Sequence, residues 1–454
     1  MFLRTLLPLV SGVLLSGCGA SPYTCDTNAQ CVDGSGASGI CEADGYCSFA
    51  DMTCATTTRR YADSAGDGKA ATCVAATGDT CVADIAGGES SFCMVRTDGT
   101  VWCWGANDVG QLGDGTTEDR ATPVQAQTPP GKVFAEVRLS ENHTCAVATD
   151  HTVYCWGGND VGQLGIVDAA GTPVPDSTTP LQVNAVAGAA PNLTFTPFLA
   201  QHIAAGGKHA CAVNMAGGVQ CWGENSDGQC GQTPPGQGGL DDVLSPTIVP
   251  GLTEGTVAIS LADESSAALK DDGSVFEFGG NANGQLGIGT IDDSYLPVQT
   301  KITSVTSLTA GDEHVCAAKN DGTIWCWGYG VAVGLASGTD QSLPQRVLAA
   351  KAVWSGGAAF HTCAVQGGAL MCWGKNGSGQ LGTGQLDPDQ TMDYTPAPAL
   401  LVSVARTASA TGATCAMTVE GGLWCWGAND RGQLALGAPG DPVAVPLRVP
   451  LPCN

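Results

Sequence analysis

Basic side chains are scarce in this chain of 454 residues, which has 18 Lys and Arg against 43 Asp and Glu and a formal net charge of −25. A surface with this balance would repel a phosphate backbone rather than capture it. The excess of carboxylates could favour a basic protein or a cation as partner, although a well-solvated surface accounts for it equally. We therefore expect no nucleic-acid partner.

Long apolar runs are also missing, and none reaches the ~20 residues that span a bilayer. The one apolar run follows Met1-Phe-Leu-Arg4 and ends at Leu15-Ser16-Gly17-Cys18, which is the layout of a secretory signal peptide. Its end resembles a bacterial lipobox, and that resemblance implies cleavage before Cys18 and acylation of Cys18. An ordinary cleaved signal is the alternative.

These features predict a signal peptide at 1–17 and a lipidated tether at 18–24. Gly19 follows the acylated cysteine, and by analogy with lipoprotein sorting in enterobacteria this favours the outer membrane. We expect an outer-membrane lipoprotein of the cell envelope, on its periplasmic or its surface face. Contact with the membrane would be made only through the lipid anchor.

Signatures of catalysis are missing as well. The sequence has no Gly-x-Ser-x-Gly and no His-Glu-x-x-His, and Gly66-Asp-Gly68-Lys69 lacks the spacing of a phosphate-binding loop. Acidic pairs such as Asp241-Asp242, Asp271-Asp272 and Asp292-Asp293 could ligate calcium, but such pairs carry little specificity. We expect no enzyme, no cofactor and no metal.

Glycine and cysteine are abundant instead, with 64 and 22 residues, and many of them fall in a segment that recurs seven times. In its clearest form the segment is Cys-(nine residues)-Cys-Trp-Gly followed by Gly-Gln-Leu-Gly. A period near fifty residues with strand-like segments predicts a propeller or a similar array. The aromatic positions that define the copies are Trp104, Trp156, Trp222, Phe278, Trp327, Trp373 and Trp426.

Each copy contains a short β-hairpin. In Cys93–Cys103 both arms are apolar and Asp98-Gly99 forms the bend, so Cys93 faces Cys103 across a three-residue loop that ends in a left-handed glycine. The other copies with a three-residue loop also have glycine at this position, except the second copy, which has His151. The sixth copy is one residue shorter, and a Gly367-Gly368 turn keeps its cysteines opposite each other. The fourth copy has Ala267 and Glu277 in place of both cysteines, and this joint loss is typical of a bonded pair.

This register predicts six cross-strand disulfides, each of which contributes about 2 to 3 kcal/mol in the chain-entropy model. The pairs are Cys93–Cys103, Cys145–Cys155, Cys211–Cys221, Cys316–Cys326, Cys363–Cys372 and Cys415–Cys425.

A metal site is the alternative, because a histidine stands two residues before four of these cysteines, at His143, His209, His314 and His361. Structural zinc sites usually cluster cysteines at a spacing of two to four residues. The other three copies have Ser91, Ser265 or Ala413 at this position. We therefore expect a histidine that is hydrogen-bonded to the backbone of the neighbouring blade.

The remaining cysteines have separate roles. Six fall in a polar, glycine-rich segment that cannot build a core, and they predict a module at 25–75 with three disulfides of undetermined connectivity. Cys81 and Cys453 lie at the two ends of the repeat array, where we expect the ends to pair and these cysteines to form a covalent latch. Cys230 replaces the Leu of Gly-Gln-Leu-Gly and is expected to be an unpaired, buried thiol. The module cysteines are Cys25, Cys31, Cys41, Cys47, Cys54 and Cys73.

Two stretches carry a family resemblance. His209-Ala-Cys-Ala-Val with Val219-Gln-Cys-Trp222-Gly, and Asn107-Asp-Val-Gly110-Gln-Leu-Gly113-Asp-Gly115, resemble the repeats of the regulator of chromosome condensation family. The resemblance covers about residues 80–454 and implies a seven-bladed β-propeller of four-stranded blades. The expected fold is therefore all-β, with the propeller at 76–454 and the small disulfide-rich module before it.

The family pattern is not uniform along this chain. Copy five has Tyr329-Gly-Val-Ala-Val-Gly334 and copy seven has Gln433-Leu-Ala-Leu-Gly437 where the Gly-Gln-Leu-Gly corner is expected. We expect these two corners to differ in shape. Alternation around Trp102 and Trp104 aims both rings at one face of the blade, so we expect the aromatic residues of the repeats to be core rather than ligand-binding.

Export and dense disulfides argue against a nucleotide-exchange role on a cytosolic GTPase, and the negative charge argues against a chromatin role. The leading hypothesis is a monomeric interaction scaffold that binds an unknown protein at the cell envelope. Some bacterial propellers that this chain resembles inhibit secreted enzymes, which makes an inhibitor a subclass. The alternatives are a lectin-like propeller, for which few loop aromatics are available (Tyr295, Phe195, Phe198 and Tyr394), and a purely structural envelope protein.

Overall fold

The computed structural model describes residues 81–451 apart from 191, 234–241, 350–351, 359, 367–368 and 388–392, together with three short strands nearer the N-terminus. The chain divides into one unit at Met1–Ala75 and another at Ala76–Asn454. In the first unit β1 (Ile40–Cys41), β2 (Cys47–Ala50) and β3 (Arg59–Tyr61) form an antiparallel sheet. The predicted signal peptide, Cys18, Cys25, Cys31, Cys54, Cys73 and Cys453 lie outside the described residues, and for Cys41 and Cys47 only the backbone is described.

The second unit is the predicted seven-bladed propeller, in which each blade is a four-stranded antiparallel sheet of consecutive strands. The first strand of each blade is innermost and the fourth is the outer edge. One extra two-stranded hairpin follows blade 2, and one short helix replaces the corner of blade 5.

The bounds of these elements follow in chain order. Blade 1 has β4 (Val82–Gly87), β5 (Ser91–Arg96), β6 (Val101–Gly105) and β7 (Arg120–Gln125). Blade 2 has β8 (Phe134–Leu139), β9 (His143–Ala148), β10 (Val153–Gly157) and β11 (Ser177–Gln182), and is followed by the hairpin of β12 (Asn184–Ala187) and β13 (Thr194–Pro197). Blade 3 has β14 (Ala200–Gly206), β15 (His209–Asn214), β16 (Val219–Gly223) and β17 (Val243–Ile248). Blade 4 has β18 (Thr256–Leu261), β19 (Ser265–Lys270), β20 (Val275–Gly279) and β21 (Ser294–Gln299).

The last three blades continue the same pattern. Blade 5 has β22 (Val305–Ala310), β23 (His314–Lys319), β24 (Ile324–Gly328), the helix α1 (Gly330–Val333) and β25 (Gln341–Leu348). Blade 6 has β26 (Ala352–Ala358), β27 (His361–Gln366), β28 (Ala369–Gly374) and β29 (Asp393–Val402). Blade 7 has β30 (Val404–Ser409), β31 (Ala413–Thr418), β32 (Leu423–Asn429) and β33 (Gly440–Arg448).

The hairpin turns between second and third strands have the predicted geometry. Gly99 has φ 78°, and the non-glycine residue at this position, His151, has φ 68°, so both are left-handed. In blade 6 Gln366 pairs with Ala369 and Cys363 with Cys372, which confirms that the shorter turn preserves the cysteine register. The local sequence therefore sets the turn, and the turn sets the pairing.

Each outer strand carries a proline at the same position. In blade 1, for example, Pro123 directly precedes Val124, which pairs with Cys103 of the third strand, and the other six blades have the same arrangement. Proline removes a backbone donor, and at the edge of a sheet this hinders pairing with another chain. The seven free edges of the ring are thereby protected. The prolines are Pro123, Pro180, Pro246, Pro297, Pro344, Pro396 and Pro446.

The expectation that the two ends of the array pair in one sheet was wrong. β4 pairs with β5 in blade 1 and β33 pairs with β32 in blade 7, because each blade is complete from four consecutive strands. The ring closes by side-chain packing instead. Phe92 and Trp104 of blade 1 share one apolar cluster with Leu423 and Val449 of blade 7.

Candidate functional site: the mouth of the central channel

All six predicted blade disulfides are formed, each between cysteines directly opposite in the second and third strands. Their Cα–Cα distances are 4.0–4.2 Å, and the pairs are Cys93–Cys103, Cys145–Cys155, Cys211–Cys221, Cys316–Cys326, Cys363–Cys372 and Cys415–Cys425. Cys81 is also disulfide-bonded, with its partner outside the described residues, so the latch to Cys453 stays a prediction. Cys230 is unpaired and fully buried, as expected.

The tryptophans at the repeated aromatic position join neighbouring blades. Each indole is fully buried and donates its Nε1 hydrogen to the main-chain carbonyl at the corner of the preceding blade, for example Trp156 to Gln111 at 2.9 Å. Trp373 makes this bond to Ala332 in α1 of blade 5 at 2.8 Å, and Trp104 makes it to Gln433 of blade 7 at 2.9 Å. Both unusual corners thus keep the carbonyl that the next blade needs, and the prediction that these aromatics are core is confirmed.

Three of the four repeated histidines bind a hydroxyl of the next blade, which corrects our expectation of a backbone partner. His314 Nε2 lies 2.7 Å from Thr362 Oγ1, and that hydroxyl lies 3.1 Å from the corner carbonyl of Ala332. The same arrangement joins His209 to Ser266 at 2.9 Å and His361 to Thr414 at 2.7 Å. Because the hydroxyl donates to the carbonyl, Nε2 must carry the hydrogen and donate to the hydroxyl.

Burial lowers the pKa of these histidines to about 3 for His143, His209 and His361 and to about 4 for His314, so all four are neutral at pH 7. Among the described residues no cluster of three His, Cys, Asp or Glu has a metal-binding arrangement. His209, His314 and His361 therefore act as neutral hydrogen-bond donors between blades.

The innermost strands surround a central channel with two adjoining cavities. The inner cavity, of about 560 Å³, is lined by β4, β8, β14, β18, β22 and β30. A second cavity, of about 300 Å³, lies where these strands end and turn into the second strands. We call this second cavity the mouth, and we call the side of the ring on which it opens the mouth face; the opposite side, with the hairpin turns, is the turn face.

A belt of alternating charges lines part of the inner cavity. The carboxylate of Asp84, which is 3% exposed, pairs with Arg138 at 2.8 Å and with Arg406 of blade 7. Arg138 also pairs with Glu136 at 2.8 Å, and Glu136 lies 3.3 Å from His202 of blade 3, whose pKa it raises. The charges of this belt satisfy one another and connect the innermost strands of blades 7, 1, 2 and 3.

The mouth is different, because its carboxylates face one another. The turns that follow the first strands carry Glu89, Glu141, Asp263 and Asp312, all of which line the cavity. Main-chain hydrogen bonds hold these turns together, from Asp263 N to Asp312 O at 3.2 Å and from Thr411 N to Glu89 O at 2.9 Å. Poor solvation in the mouth, and then the neighbouring carboxylates, raise the pKa values of Asp263 and Asp312.

The floor of the mouth requires glycine. A Cβ on Gly87 would lie 2.4 Å from the carbonyl oxygen of Ser409, and a Cβ on Gly88 would lie 2.1 Å from that of Ser140. Backbones of adjacent blades can approach this closely only where side chains are missing. The mouth is therefore a rigid acidic cavity above a narrow ring of main chain.

These four carboxylates were not among the site residues predicted from the sequence. A signal was present in the repeats, because all four occupy the same place, two residues before the position of the histidines. The equivalent residues in blades 3 and 7 are Gly207 and Thr411. Reading the copies against one another at this position would have revealed a cluster, since equivalent positions in a propeller meet around its axis.

The fold and the site together define a closed seven-bladed β-propeller with an acidic channel mouth. Family models of the regulator of chromosome condensation (RCC1) repeat match residues 98–147, 150–213, 272–318 and 420–453, and also 82–111, 135–163 and 200–229. The chain belongs to this RCC1 repeat family.

Two curated relatives show how widely the repeat is used. The chain is 28% identical over 368 residues to the ultraviolet-B receptor UVR8 of Arabidopsis thaliana, covering 78% of each protein. It is 29% identical over 317 residues to the E3 ubiquitin-protein ligase HERC2 of Mus musculus, which covers 66% of this chain but only 6% of the ligase.

A solved structure of Prp20p from Saccharomyces cerevisiae, studied for its binding to Gsp1p and histones, superposes with a TM-score of 0.64. The two proteins are 19% identical, and the match covers 82% of this chain and 88% of Prp20p. This likeness supports the fold.

Proposed function

We propose that this protein is a cell-envelope lipoprotein whose disulfide-stapled propeller binds a protein partner through its mouth face. The observation that carries the proposal is the acidic mouth, where carboxylates from four blades line one cavity on a rigid ring. Relatives described as binding proteins, such as Prp20p with Gsp1p, support the general role of an interaction scaffold. A preorganised surface of this kind loses little conformational entropy when a partner binds.

The path of the chain is compatible with an anchor before residue 81. Val82 pairs with Arg96 at the hairpin-turn end of blade 1, and Arg448 pairs with Trp424 at the same end of blade 7. Both ends of the described propeller therefore lie on the turn face. The segment that precedes residue 81 therefore joins the propeller on the turn face, opposite the mouth. No helix among the described residues is long and apolar enough to cross a membrane.

The alternative of a lectin-like surface has less support. Of the aromatics considered for it, Phe198 is 3% exposed and packs edge-on against Trp222 at 5.8 Å, so it belongs to the core. Tyr394 is half-buried against Gly338. Tyr295 and Phe195 are exposed, but they lie on β21 and β13, in different parts of the ring. Neither provides the stacked pair of aromatics that sugar binding commonly uses.

The proposal is tested by photo-crosslinking in cells with the full-length protein. A crosslinking amino acid at Thr411, on the mouth face, should trap a discrete protein, whereas one at Val419, on the turn face, should not. Crosslinks from Val419 alone, or none from either position, would reject mouth-face binding. Incorporation of labelled fatty acid that is lost in Cys18→Ala would test the anchor separately.

A further inference from the structure

Carboxylates dominate the mouth beyond the four that line it. In blade 4 Glu264 directly follows Asp263, and in blade 5 Glu313 directly follows Asp312. These two blades therefore each contribute a pair of adjacent acidic residues. Lys208 of blade 3 is a cation on an equivalent turn, and it is already paired with Asp160 at 2.7 Å. The acidic character of the mouth is therefore concentrated on blades 4 and 5.

None of these mouth carboxylates has an ion-pair partner within the described part of the propeller. This contrasts with the inner cavity, where each carboxylate of the charge belt meets a guanidinium. It contrasts also with the turn face, where Lys132 pairs with Asp150 at 2.6 Å. Like charges held together with no cation in direct contact are unfavourable, and a bound cation would relieve their repulsion.

A second observation at the same place points to a ligand. Ser409 lines both cavities and is 7% exposed, yet its hydroxyl has no hydrogen-bond partner among the described residues. A buried hydroxyl without a partner is uncommon because it loses its hydration without compensation. Here it borders a cavity of about 300 Å³, which is within the size range of ligand pockets.

On the basis of the proposed scaffold function, we propose that the mouth receives a lysine or arginine side chain of the partner protein, whose cationic group is bound by the carboxylates of Asp263 and Asp312. A long basic side chain suits this cavity because its wall also contains Leu139, Leu261 and Phe360, which would contact the methylene stem. The described carboxylates do not form a metal-binding cluster, so a basic side chain fits the cavity better than a divalent ion.

This binding should depend on pH in a defined direction. The pKa values of Asp263 and Asp312 are raised, so part of the site is protonated near neutrality. The groups that face them are Glu89, Glu141, Glu264 and Glu313. The cations near these glutamates are Lys208 beside Glu141, Lys375 beside Glu313 and Arg431 beside Glu89. A cation binds better to the ionised carboxylates, so its affinity should increase as pH rises and protons should be released on binding.

The test uses the full-length protein and a short capped peptide with one lysine, compared with the same peptide carrying norleucine. We expect the lysine peptide to shift the side-chain carboxyl resonances of Asp263 and Asp312 in NMR spectra and to lower their pKa values. We expect no such effect from norleucine. Equal binding of the two peptides, or displacement of the lysine peptide by Ca²⁺ at equimolar concentration, would overturn the proposal.

A pair of variants separates the site from overall charge. Asp263→Asn with Asp312→Asn should weaken lysine-peptide binding by at least about tenfold and should melt no lower than the parent, because it removes repulsion. Glu118→Gln with Asp292→Asn changes the net charge equally at exposed residues outside the mouth, and should bind as the parent does. Similar losses in both variants would show that only overall charge matters.

The same variants distinguish this inference from the scaffold proposal. If a partner is crosslinked from Thr411 equally well in the Asp263→Asn, Asp312→Asn variant, the scaffold proposal stands and the lysine site is wrong. If the lysine peptide binds as expected but Thr411 traps no protein, the site stands and the scaffold proposal fails.

Discussion

Glu277 shows how much one side chain can depart from the pattern of its repeat. It occupies a cysteine position in blade 4, opposite Ala267, and it is fully buried. Thr300 Oγ1 donates to one of its carboxyl oxygens at 3.3 Å, while the other oxygen has no partner among the described residues. Burial raises the pKa of Glu277 well above its usual value, so this carboxyl is protonated in the folded protein.

Replacing Glu277 with Gln should therefore change the pH dependence of stability. Because the pKa of Glu277 is higher in the folded than in the unfolded state, protonation of Glu277 contributes its full stability only below the unfolded-state pKa. Above that pH the free energy of unfolding of the parent falls by up to about 1.4 kcal/mol per pH unit. The advantage of Glu277→Gln over the parent should grow between pH 4.5 and pH 8.5 in denaturant unfolding. A constant difference across this range would mean that Glu277 does not keep its proton on folding.

The missing seventh disulfide can be restored at the same position. Ala267 and Glu277 pair in the register that brings the cysteines together in the other blades, so Ala267→Cys with Glu277→Cys should form a disulfide and stabilise the protein by about 2 to 3 kcal/mol. Non-reducing peptide mapping and denaturant unfolding check this. Glu277→Ala alone is the control, because it removes the buried carboxyl without adding a bond; if it stabilises equally, the disulfide contributes nothing.

At the scale of elements, the blades are joined by a repeated set of hydrogen bonds from histidine to hydroxyl to corner carbonyl. It is present at three of the four junctions that have a histidine, and the exception is the junction of blades 2 and 3. The position of the hydroxyl in β15 is Ala210, so Nε2 of His143 has no partner among the described residues, although its Nδ1 lies 2.7 Å from Ser140 Oγ. The corner carbonyl of Gln163 is then bound by Trp222, at 3.0 Å.

Ala210→Ser should supply the missing hydroxyl and stabilise the junction of blades 2 and 3 by about 0.5 to 1.5 kcal/mol. The matched change in the opposite direction is Thr362→Val, which deprives His314 of its partner and should cost about 1 to 3 kcal/mol. Thermal or denaturant unfolding of both variants checks the pair. A destabilising effect of Ala210→Ser would show that the interface has no space for the hydroxyl.

At the scale of the whole molecule, closure of the ring depends on contacts between residues more than 300 positions apart. Arg431 of blade 7 pairs with Asp108 of blade 1 at 2.7 Å and also with Asp119, and Arg406 pairs with Asp84. Cys81 and Leu451 pack against the apolar cluster that blades 1 and 7 share. The two ends of the propeller are therefore close to each other on the turn face.

A latch between Cys81 and Cys453 should be found as a linked peptide pair after digestion without reduction. Because it closes almost the whole ring, Cys81→Ser with Cys453→Ser should lower the free energy of unfolding by about 6 kcal/mol in the chain-entropy model. The blade disulfide Cys316–Cys326 closes a much shorter loop, so its removal in Cys316→Ser with Cys326→Ser should lower the free energy of unfolding by less. Linkage of Cys81 to a cysteine of the N-terminal module instead would contradict the latch.

The sequence by itself determined the parts of this protein that are local or repeated. The hairpin disulfides, the left-handed turn residues and the number of blades follow from segments of about ten residues and from their recurrence, because a hairpin fixes its own register. The buried aromatic of each copy follows for the same reason.

Only the tertiary structure decided what happens where blades meet. Each hydroxyl that accepts a hydrogen bond from a histidine of β15, β23 or β27 belongs to the next repeat. Glu89 and Asp312 face one mouth although 223 positions separate them. The closure of the ring by side chains rather than by shared strands was likewise invisible in the sequence. Such contacts depend on the angle and spacing of seven sheets around a common axis, which no segment of the chain specifies alone.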